Sequence, residues 1–183
     1  MLNRIFALLL LICFSPLFLV VGFAIFFEDG FPLFFKQKRV GINYTFFEIY
    51  KFRSMRKDTP NVATHLLGDP TQYLLKIGGF IRKLSLDELP NLINVLNGDM
   101  VFVGPRPALY NQDDLMALRV AAGVDQLKPG ITGWAQVNGR DELALEEKVR
   151  FEKEYLDRKS LAFDVKIIVM TFTKVVTSKG IQH

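Results

Sequence analysis

Residues 5–27 read IFALLLLICFSPLFLVVGFAIFF, an uncharged, almost wholly apolar run broken near its centre by Ser15 and Pro16. A straight helix of that length would reach about 35 Å, enough to cross a hydrocarbon core. Proline inside a helix removes one backbone hydrogen bond and clashes with the carbonyl four residues back, so the run is expected to bend at Pro16. The Ser15 hydroxyl can bond a nearby carbonyl at that break. Each arm is then roughly 15 Å long, which reaches mid-bilayer and can return. Arg4 precedes the run and Lys36, Lys38 and Arg39 follow it, and positive charge at both ends holds both on the cytoplasmic side. The expectation is a re-entrant helix-break-helix anchor over residues 1–30, with residues 31–183 forming a catalytic domain with interfacial helices on the cytoplasmic face. A single span is one competing reading. A cleaved signal peptide with Gly22 and Ala24 at its processing site is another.

Outward from the anchor, 183 residues suit one domain. Half are hydrophobic and the pI is about 9.2, a balance drawn to anionic lipid or phosphate-bearing substrates. Residues 36–83 hold ten Lys or Arg against three acids, whereas residues 84–164 hold nine against fourteen. The basic half therefore adjoins the membrane segment. Nucleic acid would suit the overall charge, but the acidic second half and the anchor argue against it. Cys13 is the only cysteine, which excludes an intramolecular disulfide and a Cys-based zinc site. His65 and His183 are the only histidines, a poor basis for a His cluster or a Ser-His-Asp triad.

The fold class expected is α+β: a mainly helical monotopic membrane protein with a kinked N-terminal re-entrant helix and one small β-hairpin. Residues 33–40 and 45–53 are rich in Phe, Tyr, Val and Ile around Gly41, Ile42 and Asn43, and read as that hairpin. Residues 71–83 predict an amphipathic helix. Ser85 and Glu88 fit a capping box opening a helix that runs to about Leu96 and stops at Asn97 and Gly98. Further helices are expected over 111–122, 142–157 and 162–177, with residues 129–140 as a loop. The last helix suits either the membrane interface or the domain core.

The chemistry concentrates in residues 85–107, SLDELPNLINVLNGDMVFVGPRP. A carboxylate that attacks phosphorus forms an acyl phosphate and divides one hard transfer into two steps, and Asp87 is the candidate nucleophile. Glu88 beside it can share a magnesium ion or manage a proton. The competing reading makes both acids helix-dipole and capping groups. Pro90 argues against a helix already begun at Ser85, since proline is best tolerated in a first turn. Arg106 stands between Pro105 and Pro107, which fix φ on either side and present its guanidinium from a stiff loop, suited to bidentate phosphate pairing. Lys51 and Arg53 alternate around Phe52 and would share one strand face as a phosphate clamp. Arg82 and Lys83 directly precede the Asp87 turn. A basic surface resting on anionic lipid is the alternative account of those cations. Trp134, Gln136, Asn138 and Arg140 suit either base recognition or a loop pinned by a buried Trp.

In combination, KFRSM (51–55), RK (82–83), LDELP (86–90), GDM (98–100), VGPRP (103–107) and PGITGWAQVNGR (129–140) resemble the bacterial sugar transferase family, the small monotopic phosphoglycosyl transferases. The resemblance implies transfer of a sugar-1-phosphate from a UDP-sugar to polyprenyl (undecaprenyl) phosphate, with UMP released, at the cytoplasmic face of the bacterial inner membrane. It implies a covalent Asp87 intermediate, Glu88 as its partner, dependence on Mg²⁺ near Asp87, and Arg82 and Arg106 at phosphate-contacting positions; Lys51 and Arg53 are carried over less directly. Larger members add N-terminal membrane helices and a further domain, which these residues do not include. Val101 and Phe102 stand where the family often has a smaller or polar residue. A diphosphate hydrolase using the same groups, and a non-catalytic lipid-binding module, are the alternatives. No oligomer is demanded by the pattern.

Overall fold

A computed structural model of the chain describes residues 1–60, 69–139 and 143–177. His65, Arg140 and His183 lie outside the described residues. The apolar run forms α1 (Leu2–Cys13) and α2 (Ser15–Asp29), bent by 61°. Pro16 falls in the first turn of α2, where its missing N–H costs nothing, and Ser15 Oγ donates to the Ile12 carbonyl at 2.8 Å. No single described helix is long and apolar enough to cross a membrane.

Both ends of this pair are fastened to the same body. Arg4 Nη2 donates to the Asn97 carbonyl at 2.7 Å, and Ala7 is buried with Ile49, Val95 and Met100. At the far end Glu28 accepts from the backbone N–H groups of Lys76 and Ile77, while Val21 and Ile25 pack with Phe52, Leu75 and Ile81. The outward faces leave Leu8, Leu9, Ile12, Leu19, Val20, Phe23 and Phe27 exposed.

Strands β1 (Phe34–Val40) and β2 (Phe46–Phe52) pair antiparallel as expected, with Phe34 opposite Phe52 and Val40 opposite Phe46. Asn43 and Tyr44 adopt positive φ in the short 3₁₀ turn between them. The hairpin is stitched to α4 (Asn91–Asn97) by the fully buried Asn94. Its Oδ1 accepts from the Tyr50 N–H at 3.0 Å and its Nδ2 donates to the Glu48 carbonyl at 2.7 Å, so one side chain replaces a strand neighbour.

The second half builds its own core. Strand β3 (Val101–Val103) pairs in parallel with β4 (Gly130–Thr132), and α5 (Asp113–Ala121) lies in the crossover between them. Helices α6 (Trp134–Asn138), α7 (Leu145–Arg158) and α8 (Leu161–Thr177) complete it. Val103, Met116, Val149, Tyr155, Phe163 and Ile167 form its centre.

Three local expectations are corrected. Residues 71–83 form a 3₁₀ turn at Pro70–Tyr73 and then a short α3 at Gly78–Lys83. Leu74 instead bridges to Met55, and the Leu75 N–H bonds the Ser54 carbonyl, so tertiary pairing overrides the helical pattern. Ser85 forms no cap: it sits at φ 54°, residues Leu86–Glu88 make a 3₁₀ turn, and α4 begins only at Asn91 after Pro90. Its stop at Gly98, φ 93°, is as expected. Finally, residues 129–139 of the expected loop hold β4 and α6. Gly130 permits the close strand approach there, since a Cβ on it would lie 2.2 Å from the Gly104 nitrogen.

Candidate active site

The turn Leu86–Glu88 links α3 to α4 and presents two adjacent carboxylates above the end of β2. Lys51 Nζ on β2 meets Glu88 Oε1 at 2.8 Å, and Arg106 Nη1 approaches the same oxygen at 3.6 Å. Glu88 thus joins the hairpin to the loop carrying Arg106. That engagement rules against the capping box, because the Glu88 carboxylate is directed to Lys51 and Ser85 makes no side-chain cap bond. Arg39, Asn91, Met100 and Pro107 line the same cleft as Lys51, Glu88 and Arg106.

Asp87 is the electrostatically unusual member. Its burial pushes the carboxyl up to about 6 and the Glu88 charge acts in the same direction, while Lys51 and Arg82 oppose them. A carboxylate of that kind is ionised at neutral pH yet poorly solvated, which suits nucleophilic attack. Arg82 lies in the last turn of α3, one turn of chain before Asp87. The two expected catalytic carboxylates, Asp87 and Glu88, and two of the expected phosphate-binding cations, Lys51 and Arg82, therefore interact electrostatically, with Arg106 joined through Glu88.

No cluster of three or more His, Cys, Asp or Glu side chains is present among the described residues. Mg²⁺ commonly takes one or two carboxylates and completes its octahedron with substrate phosphates and water. Asp87, next to Glu88 in the same short turn, fits that kind of donor.

The model of the bacterial sugar transferase family matches residues 1–178, nearly the whole chain. The chain belongs to that family. Among relatives of this sugar transferase, an uncharacterized sugar transferase, EpsL, of Bacillus subtilis is 43% identical over 97% of the present chain and 86% of its own. The exopolysaccharide production protein ExoY of Sinorhizobium fredii is 34% identical, over 95% of this chain and 83% of its own. The UDP-glucose:undecaprenyl-phosphate glucose-1-phosphate transferase of Escherichia coli is 37% identical over 96% of this chain, which spans only 39% of that longer protein.

Two sequence expectations for the transferase's site find different partners. Arg53 is buried at the end of β2 and its guanidinium turns away from Glu88, donating to the Asp29 carboxylate and to the Gly30 carbonyl at 2.6 Å. It joins α2 to the hairpin rather than forming one clamp with Lys51. The Arg53 N–H still bonds the Leu33 carbonyl at 2.9 Å, and the acceptors within reach of the side chain there are those at the end of α2, Asp29 and Gly30. Trp134 Nε1 donates to Glu154 at 2.8 Å and its ring packs 5.0 Å from Phe163. Gln136 donates to the Ile131 carbonyl and Asn138 to the Trp134 carbonyl, so these groups hold β4 and α6 together, the pinned-segment reading.

Sequence reasoning missed Arg39, whose Nη1 donates to the Pro107 carbonyl at 3.0 Å, and the buried pair Arg119 and Glu152. An arginine within a basic strand carried no distinguishing signal. Arg119 did stand in an otherwise apolar stretch of its helix, LMALRVA.

Proposed function

We propose that this sugar transferase moves a sugar-1-phosphate from a UDP-sugar to polyprenyl phosphate, releasing UMP, through a covalent Asp87 phosphosugar. The carrying observation is the part-buried Asp87 with its raised pKa, set beside the Lys51–Glu88–Arg106 chain of charges. Ionised Asp87 attacks the sugar-bearing phosphorus. The bond from that phosphorus to the UMP oxygen breaks, UMP leaves as an anion, and Asp87 becomes an acyl phosphate. A phosphate oxygen of the polyprenyl acceptor then attacks the same phosphorus, and the Asp87 carboxylate departs, yielding polyprenyl diphosphate sugar.

Lys51, Arg82 and Arg106 offset negative charge on the phosphoryl oxygens, and Glu88 holds Lys51 and Arg106 at a fixed separation. Asp87 is the residue to hold Mg²⁺, which when bound with the donor diphosphate neutralises charge developing on the leaving phosphate. The E. coli relative's named substrates, UDP-glucose and undecaprenyl phosphate, support this donor and acceptor class.

The anchor is read as re-entrant on the cytoplasmic face of the bacterial inner membrane. Support comes from the fastening of both ends of α1 and α2 to one body, with apolar side chains left outward at the bend. On α8, Phe163 and Ile167 are buried while Leu161, Val165, Val169 and Phe172 form an exposed apolar stripe, suited to lying along a bilayer surface. An acceptor whose phosphate sits at the interface then meets the Asp87 turn without leaving the membrane.

The test is UMP release from a panel of UDP-sugars by protein held in nanodiscs, with Mg²⁺, with and without polyprenyl phosphate. Lipid-dependent turnover lost in Asp87→Asn supports the transferase. Continuous turnover without lipid would instead make it a diphosphate hydrolase, and Mg²⁺-independent lipid binding with no turnover a surface-binding module.

A further inference from the structure

Arg106 lies between two prolines, so the Pro105 and Pro107 positions offer no N–H with which to anchor the loop. Every carbonyl from 105 to 107 is instead held by a group elsewhere in the fold. The Gly130 N–H donates to the Pro105 carbonyl at 2.8 Å. Arg39 donates to the Pro107 carbonyl at 3.0 Å. Arg119 Nη2 donates to the Arg106 carbonyl at 2.9 Å.

Arg119 is itself fixed. It is 5% exposed on α5, and Glu152, 2% exposed on α7, accepts from its Nε at 2.8 Å and from its Nη2 at 2.5 Å. A buried ion pair of this kind is often no more stabilising than an apolar pair of the same volume. Joining α5 to α7 therefore does not require it. What an apolar pair could not do is hold the carbonyl of Arg106 in place. Two residues before Pro105, the Val103 carbonyl lies 3.1 Å from the Tyr155 hydroxyl on α7, which shares its one proton between that carbonyl and the Asp164 carboxylate at 2.8 Å.

We infer that Arg119, clamped by Glu152, is a positioning residue that sets where the Arg106 guanidinium stands against the donor phosphate. The inference rests on the transferase reading above. Arg119 touches no substrate and acts only through the Arg106 backbone.

The experiment is a double-mutant cycle in nanodiscs, measuring kcat and KM for the UDP-sugar and melting by circular dichroism. The variants are R119M/E152L, R106A and their combination. Expected is an R119M/E152L protein that melts close to wild type yet loses about ten- to a hundredfold in kcat/KM. Its KM-against-kcat split should follow that of R106A. In the R106A background the same change should cost less than about twofold. Full activity in a folded R119M/E152L protein, or an equal loss in both backgrounds, overturns the inference. Should the apolar pair not fold, R119K, which keeps the charge but loses the fork, is put through the same cycle and read the same way. An R106A protein as active as wild type overturns the positioning role and leaves the transferase standing. A wild-type chain that releases no UMP overturns both readings.

Discussion

At Asp87 burial and the Glu88 charge both favour the protonated carboxyl, and its midpoint rises from 3.8 to about 6. Two consequences follow from the same shift. If the ionised form is the nucleophile, kcat/KM should fall as pH drops below about 6 and level off above it, as a pH profile of UMP release reads directly. Lys51 holds that midpoint down, so Lys51→Met should move the acid limb to higher pH as well as lower the plateau by about a hundredfold. The second consequence concerns stability. The folded state binds the Asp87 proton more tightly than the unfolded chain, so this group's stabilisation is full below pH 3.8 and is lost as pH rises through about 6. Asp87→Asn should therefore be more stable than wild type at pH 8, by up to about 3 kcal/mol, with the gap closing below pH 4. Melting curves of both proteins across that range would show it. An inactive variant more stable than its parent is what a functional carboxylate predicts, and a capping carboxylate predicts the reverse.

Between α3 and α4 the chain turns through Ser85 in the left-handed region, a conformation that costs an L-residue about 1 kcal/mol or more. Ser85→Gly should leave the turn in place and change stability by less than about 1 kcal/mol, since relief of strain is offset by greater freedom of the unfolded chain. Ser85→Val should lower the melting point clearly, because a β-branched side chain resists that φ. At the other end of the hairpin, Arg53 ties α2 to β2 through Asp29 and Gly30. Arg53→Met should cost about 3 kcal/mol through the unpaired Asp29 it leaves. Because the guanidinium faces α2 and not the cleft, KM for the donor should stay near the wild-type value. A large rise in KM without loss of stability would restore Arg53 to the substrate site.

Across the whole molecule, both arms of the bent pair meet one domain, at Asn97 and at residues 76–77. In a Cys13→Ala background, Asn3→Cys and Lys36→Cys, both at exposed positions, should label from the same side of inside-out vesicles with an impermeant maleimide. Labelling from opposite sides would make the run a span. The break at Ser15 and Pro16, the hairpin, the stop at Gly98 and the long helices near 145–177 were legible because each depends on local chemistry: a missing N–H, β-branched and aromatic alternation, a left-handed glycine, a helical stripe. The acid pair and the proline-flanked Arg106 were legible as residue types and spacing. What the sequence alone determined is thus the local vocabulary of this protein and the candidates for its chemistry. Only the tertiary structure decided that Glu88 reaches Lys51 instead of capping a helix, that Arg53 serves the anchor, and that Gly130–Thr132 closes a parallel strand pair. It alone joined Arg119 and Glu152 behind Arg106. Those outcomes depend on contacts between residues far apart in the chain, where burial and pairing outweigh the weak preferences of any one segment.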